Sequence, residues 1–291
     1  MAVDGKVYVT LGFQAPITVL DAATGEILGT LEGTQATEEI VVSGGTVFAL
    51  VNEGESELAT FAPQMSVGDQ KRVAAEYVWN RKPRKIAALE AGRVKWAREH
   101  VVAPLSIAVA GSRVFFHDGD RVVCLDGADG RTVWSQDSGR RPATPFHQGV
   151  RLLVHEGVVL CKGTDRTLRA FAADTGRELW AAPAPPGGYQ SPEDLLVVGG
   201  LVWTAPTTST KDSGIFTGRD PRTGQVKVEF PPDARTYWFH HRCYIAKGAG
   251  NTLLTSRTGI EFVDPEKKHW TIHHWVRGGC LYGVLPANGF V

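Results

Sequence analysis

The sequence predicts an all-β fold on three observations: glycine and proline spread through the chain, short alternating apolar runs, and one phrase that recurs around a glycine. The 33 Gly and 16 Pro are scattered over all 291 residues. That distribution suits many short strands joined by tight turns better than long helices. With 43% hydrophobic residues the chain can bury a large core, and its length allows one large domain or two.

The recurring phrase is the main signal. It reads Leu20-Asp21-Ala22-Ala23-Thr24-Gly25, Leu125-Asp126-Gly127-Ala128-Asp129-Gly130, Phe171-Ala172-Ala173-Asp174-Thr175-Gly176 and Arg219-Asp220-Pro221-Arg222-Thr223-Gly224, with a worn copy at Ala88-Leu89-Glu90-Ala91-Gly92. Four residues past the glycine stands Trp96, Trp134 or Trp180 in three copies, and Gly29 or Val228 in the other two. Each phrase is a hairpin: an apolar strand, a turn whose glycine supplies positive φ, and a second strand carrying a large aromatic residue. A further strand pair lies upstream, as in 106–110 and 113–117 ahead of 121–125. Each unit therefore has four strands.

Gly92, Gly130, Gly176 and Gly224 follow one another at 38, 46 and 48 residues, close to the roughly 40–45 residues of a propeller blade. A four-stranded sheet with two apolar faces must stack on its neighbours. The fold class is thus a β-propeller of about six blades, or seven, at 1–33, 38–100, 104–138, 148–184, 191–232 and 240–277. The sixth phrase, Glu261-Phe262-Val263-Asp264-Pro265-Glu266, lacks the Thr-Gly. Residues 280–287 resemble the first half of a blade and are expected to give the first blade its innermost strand, closing the ring between the termini. The alternative is truncation from a larger ring.

The Ala-x-Asp-x-x-Thr-Gly-x-x-x-Trp phrase resembles the pyrroloquinoline-quinone-type propeller repeat, and the resemblance covers nearly the whole chain. That repeat is shared by quinone-dependent dehydrogenases and by non-enzymatic propellers similar to the outer-membrane assembly lipoprotein. It implies the fold and an extracytoplasmic or periplasmic setting, but no activity. The dehydrogenases have about eight blades, adjacent cysteines beside the quinone and acidic residues holding calcium. This chain has no adjacent Cys pair and fewer blades, so bound quinone is not expected, nor is any other organic cofactor.

The 31 basic and 31 acidic residues cancel, which removes the global field that a nucleic-acid partner would need. No apolar stretch approaches the roughly 20 residues of a transmembrane segment, and the N-terminus lacks a basic segment followed by an apolar run. The chain reads as soluble, in mature or excised form. Residues 62–85 interrupt the second blade, with helix composition at 69–79. They end in Arg81-Lys82-Pro83-Arg84-Lys85, either a solvated loop or a cradle for an anion such as phosphate or a uronic acid.

The sixth blade departs from the pattern, and departures are where function is sought. Five of the nine His (His240, His241, His269, His273, His274) fall there, among Arg242, Cys243, Tyr244, Lys247, Arg257, Arg277 and Tyr282. His269 and His273 are about 13 Å apart along a strand, and adjacent His240 and His241 face opposite sides. A divalent metal would therefore need ligands from different strands, such as His241 and Cys243 with Cys280. Cys243 and Cys280 each open a blade's first strand, so they form either a disulfide or two buried thiols. Cys124 and Cys161 lie in apolar runs and are expected to be buried thiols.

Acid–base catalysis is a third reading. His241 or Tyr244 as base, with Arg242, Arg257 or Arg277 neutralising a carboxylate and His240 as a further candidate in the same pocket, is similar to the His, Tyr and Arg sets of propeller polysaccharide lyases. No Gly-x-Ser-x-Gly elbow, phosphate-cradling Gly-rich loop or His-Glu-x-x-His motif occurs. Two functions are carried forward. One is a non-catalytic scaffold binding a protein or glycan on the ring face; the other is a carbohydrate-active lyase or hydrolase at the channel mouth near the sixth blade.

Overall fold

The computed structural model describes residues 1–54, 82–138, 149–163, 165–184, 194–204, 214–233, 244–255, 259–273, 275–276, 278 and 283–285. The chain divides into two compact units, Met1–Phe146 and His147–Val291. In the first, three sheets follow the chain: β1 to β4 (Ala2–Val3, Lys6–Thr10, Ile17–Asp21, Ile27–Thr30), β5 to β8 (Thr37–Ser43, Thr46–Val51, Pro83–Glu90, Arg93–Val101) and β9 to β12 (Ala108–Ala110, Arg113–His117, Arg121–Asp126, Thr132–Asp137). In the second come β13 to β16 (Arg151–His155, Val158–Lys162, Thr167–Ala172, Glu178–Pro183), β17 to β20 (Leu196–Val198, Leu201–Thr204, Phe216–Arg219, Val226–Phe230) and β21 to β24 (Lys247–Ala249, Thr252–Thr255, Ile260–Asp264, His269–His273).

Every sheet has four antiparallel strands in sequence order, the blade topology that the repeat predicts, and each sheet lies inside one predicted blade except the second, which overruns 38–100 by one residue at each end. The described residues are all-β, and no helix among them is long and apolar enough to cross a membrane. The helix expected at 69–79 falls outside them.

Alternation along the inner strands gives each sheet two apolar faces. On β6, Val47, Ala49 and Val51 join Ile17, Val19 and Leu31 of the first sheet. Phe48 and Leu50, pointing the other way, join Val114, Phe116 and Leu125 of the third. In the second unit, β18 does the same with Val202 against Val158 and Leu160, and Trp203 against Phe230, Leu253 and Trp270. Each fully buried side chain of this size stabilises by about 1.5–3 kcal/mol.

The repeated turn is a hydrogen-bond device. Asp21 Oδ1 accepts the N–H groups of Ala23 (2.9 Å) and Thr24 (2.8 Å), and the Thr24 hydroxyl accepts from Glu26 N–H at 3.2 Å. Asp220 and Thr223 repeat the pattern on Arg222, Thr223 and Gln225. Gly25, Gly130, Gly176 and Gly224 donate to the carbonyl four residues back at 2.8–2.9 Å. The Asp-x-x-Thr phrase therefore caps its own backbone.

The glycine and the tryptophan belong to one contact between consecutive sheets. Trp96 on β8 donates its indole N–H to the carbonyl of Gly127 at 2.8 Å, and its ring lies so close over Gly130 that a Cβ there would stand 2.6 Å from it. Trp180 on β16 donates to Pro221 at 2.9 Å and covers Gly224 at the same 2.6 Å. Both glycines also have φ near +70° (74° and 71°), so they are required twice over.

In the fifth blade, which lacks the tryptophan, the next turn lacks the glycine too. Val228 stands in its place on β20, and the following turn carries Lys268, φ +54°, in the left-handed position. The aromatic volume comes instead from Trp203, which lies across Gly218, and from Trp270 on β24, whose ring meets Phe216 edge-on at 4.9 Å. Trp270 reaches that side because β23 and β24 pair one to one. The five other outer hairpins each carry a bulge at this point, and a one-residue difference in register exchanges the faces of the strand.

Among the described residues the first sheet takes its innermost strand from the N-terminal hairpin, β1 pairing with β2 around Asp4-Gly5. The closing strand expected at 280–287 lies mostly outside the described residues. Of that segment the described part places Val284 against Leu254 and Ile260 of the sixth sheet. A strand of two residues is too short to leave an alternating pattern in the sequence.

Gly224→Ala is expected to lower stability by about 1–3 kcal/mol, read as a lower urea midpoint at unchanged slope. Lys268→Gly should stay within about 0.5 kcal/mol of the parent, since relief of the left-handed backbone offsets added freedom in the unfolded chain. Adding Trp180→Ala to Gly224→Ala should cost less than the two single losses combined.

The turn carboxylates also set an acid limit. Hydrogen bonds from the Thr24, Thr223 and Lys267 backbones hold Asp21, Asp220 and Asp264 below the ordinary carboxylate value. The unfolded chain binds these protons first, so the contribution is complete above about pH 4 and disappears as pH falls through the lower folded values. The urea midpoint should fall between about pH 4 and pH 2, and less steeply in Asp21→Asn/Asp220→Asn/Asp264→Asn.

Candidate functional site

The sixth sheet, β21 to β24, carries part of the histidine-rich set. Tyr244 precedes it and is buried, its hydroxyl donating to the carbonyl of Gly259 at 2.8 Å. A Cβ at Gly283 would stand 3.2 Å from the tyrosine ring, so the absent side chain there lets the C-terminal segment approach. His269, Thr271 and His273 alternate with Trp270 and Ile272 on β24 and are the exposed or half-exposed side, with the His273 ring edge-on to Phe262 at 5.4 Å. His240, His241, Arg242, Cys243, Arg257, His274, Arg277 and Cys280 lie outside the described residues. Among the described residues no three His, Cys, Asp or Glu side chains group as metal ligands.

One polar pair in this sheet escaped the sequence reading. Glu261 sits in the apolar run Ile260-Glu261-Phe262-Val263, is buried, and accepts the Thr255 hydroxyl at 2.6 Å. A lone Glu inside an alternating strand was the available signal.

The basic run is neither a loop nor an unpaired cradle over its described part. Pro83, Arg84 and Lys85 open β7. The Arg84 guanidinium is buried and donates to Glu38 at 3.1 Å and to the Lys82 carbonyl at 2.8 Å, while Lys85 pairs with Glu53. Glu38 also accepts from Asn52 at 2.8 Å. Two of the four positive charges thus already face carboxylates from β5 and the end of β6, where desolvation makes pairing necessary. Arg81 lies outside the described residues.

A second polar centre, also missed, closes the third sheet. His117 is fully buried, and its Nδ1 accepts the Gly119 N–H at 2.9 Å. The neutral ring then carries its proton on Nε2 and donates to Ser138 Oγ at 2.6 Å, and Ser138 donates to the Asp120 carbonyl at 3.2 Å. The imidazole therefore donates a hydrogen bond to the hydroxyl and does not accept one from it, which is loop-fastening geometry and the reverse of nucleophile activation. Nearby, His100 packs on Phe116 at 5.0 Å, its Nε2 buried without a hydrogen-bond partner, and burial lowers its pKa. Cys124 and Cys161 are buried free thiols as expected, and burial pushes Cys124 up to about 12, which keeps it protonated and unreactive.

Apolar surface is exposed at the outer edge of the first sheet. Ile27 and Leu28 on β4 are 63% and 53% accessible, and all four residues of the strand are exposed. Among the described residues β4 pairs with β3 alone. Gly29 occupies the position filled by tryptophan in other blades, and a Cβ there would meet nothing within 4 Å. Beyond this strand, a Cβ at Gly92 would stand 4.0 Å from Leu31, and one at Gly33 would stand 3.6 Å from Val94.

Comparison with known proteins fits this geometry. The family model described as outer membrane protein assembly factor BamB matches residues 82–236. Among solved structures the chain is similar to BamB from Moraxella catarrhalis, at 14% identity over 96% of this chain and 75% of that one, with a TM-score of 0.60. It is also similar to the computationally designed protein Ika8, at 16% identity over 88% and 78% of the two chains, with a TM-score of 0.47. No curated protein matches the sequence. The BamB structure carries the fold, and the family match spans more than half of the chain from β7 past β20. The chain belongs to the family of outer membrane protein assembly factor BamB, PQQ-like β-propellers of the non-enzymatic kind.

Proposed function

We propose that the chain is a non-catalytic scaffold whose ligand is a protein, acting on outer-membrane proteins during assembly in an extracytoplasmic, periplasmic setting. The observation that carries this reading is the match of residues 82–236 to an outer-membrane assembly factor. The chemistry of the described polar centres supports it. The turn aspartates, Arg84, His117 and Tyr244 each hold backbone or side-chain partners within the fold, and the exposed β4 edge offers a surface of the kind that takes up extended chains.

The enzymatic alternative rests on His240, His241, Arg242, Tyr244 and Arg277. Where Tyr244 is the base, it must first give up its bond to Gly259. Tyr244→Phe tests that form of the alternative: as a packing residue its loss should lower stability by about 1–2 kcal/mol and leave ligand binding unchanged.

The direct test uses an unfolded outer-membrane β-barrel polypeptide, diluted from urea onto the immobilised full chain, with an unfolded soluble protein as control. Saturable binding that favours the barrel polypeptide is expected. Equal retention of both, or depolymerisation of a uronic-acid polymer that is lost in His241→Ala, would overturn the reading.

A further inference from the structure

The outer edges of the six sheets are not equivalent. β8 carries Arg93, Lys95, Arg98 and Glu99, β16 carries Glu178 and Pro183, and β20 carries Lys227 and Glu229. β12 ends in Asp137, and β24 follows Lys267-Lys268 and carries two histidines. Charges and proline of this kind discourage pairing with another chain. β4 reads Ile27-Leu28-Gly29-Thr30, with neither charge nor proline, and every residue is exposed. It also carries Gly29 where Trp96 and Trp180 stand in their own blades, and a Cβ there would meet nothing within 4 Å.

We infer that β4 is a docking edge that takes up an extended segment of another protein as a fifth strand, with an aromatic side chain of that segment over Gly29. The inference rests on the protein-binding reading and names its surface. The flanks choose the partner. Exposed Glu26 and Glu32 bracket the strand, so a segment with an aromatic centre and Lys or Arg at both ends fits. A second copy does not fit, because antiparallel self-pairing about Gly29 would set Glu26 against Glu32 at both ends, and like charges directly opposite are destabilising.

The experiment uses a labelled peptide, Lys-Thr-Val-Trp-Val-Thr-Arg, and its counterpart with glutamate at both ends, titrated onto the full chain by fluorescence anisotropy. The basic-flanked peptide should bind at least tenfold more tightly, and should slow amide exchange at residues 26–32. Gly29→Trp restores the repeat residue at a position where a Cβ meets nothing within 4 Å, so it should retain the parent melting temperature and weaken the peptide at least tenfold. Leu28→Lys should do likewise through charge.

Equal affinity for both peptides, undiminished binding by Gly29→Trp, protection centred elsewhere, or no measurable binding would each overturn the inference. So would a concentration-dependent dimer of the parent chain that Gly29→Trp abolishes, since that assigns the edge to a second copy. If the peptide fails while the barrel polypeptide still binds, the protein-binding reading stands and the docking edge falls. If both fail, the reading itself falls.

Discussion

The contact on which this architecture depends is a tryptophan laid over a glycine in the turn of the next blade. It joins two requirements that a sheet cannot meet alone. A four-stranded blade leaves an apolar face uncovered, and a hairpin turn exposes backbone carbonyls. The indole answers both by burying its ring on the glycine and giving its N–H to a carbonyl of the same turn, as Trp96 does to Gly127 and Trp180 does to Pro221. The glycine is required because only a residue without a side chain tolerates both the left-handed backbone and a ring within van der Waals range. Where Val228 replaces the tryptophan on β20, the glycine of the next turn is lost as well, whereas Gly92 persists after Gly29. Val228 on β20 is followed by a turn in which Lys268 takes the left-handed position.

This coupling explains why so much of the fold was legible and where legibility ended. The Asp-x-x-Thr-Gly-x-x-x-Trp phrase encodes a turn, a strand pair and an inter-blade contact within a dozen residues, so blade boundaries could be read from spacing. What was not legible is set by register and by distance along the chain. The missing bulge between β23 and β24, which turns Trp270 toward the fifth sheet, is a matter of pairing that composition does not reveal. Arg84 meets Glu38 across 46 residues, so a basic run that looks solvated is half neutralised. The two-residue strand β1 is too short for any periodicity.

Function was less legible for the same reason. Sequence reasoning sought it in the blade that lost the Thr-Gly phrase and gathered histidines. The described part of that blade spends its irregularity on packing, with Tyr244 fastened to Gly259 and Trp270 filling the space that a repeat tryptophan leaves elsewhere. The blade that differs in exposed surface is the first. There the tryptophan is replaced by Gly29, and the edge strand keeps Ile27 and Leu28 in solvent. Glycine in place of the tryptophan was visible in the sequence; what made it informative was that Ile27 and Leu28 beside it stay exposed, which pairing and not composition decides.

Hydrogen exchange on Trp180→Ala tests the central contact most directly, because it reports which backbone amides lose protection together. If the indole joins consecutive blades, exchange should accelerate both in β15 and β16 and in the turn and strands around Gly224, with β21 to β24 following less. Faster exchange confined to β16, with the Asp220–Gly224 turn still protected, would contradict the account.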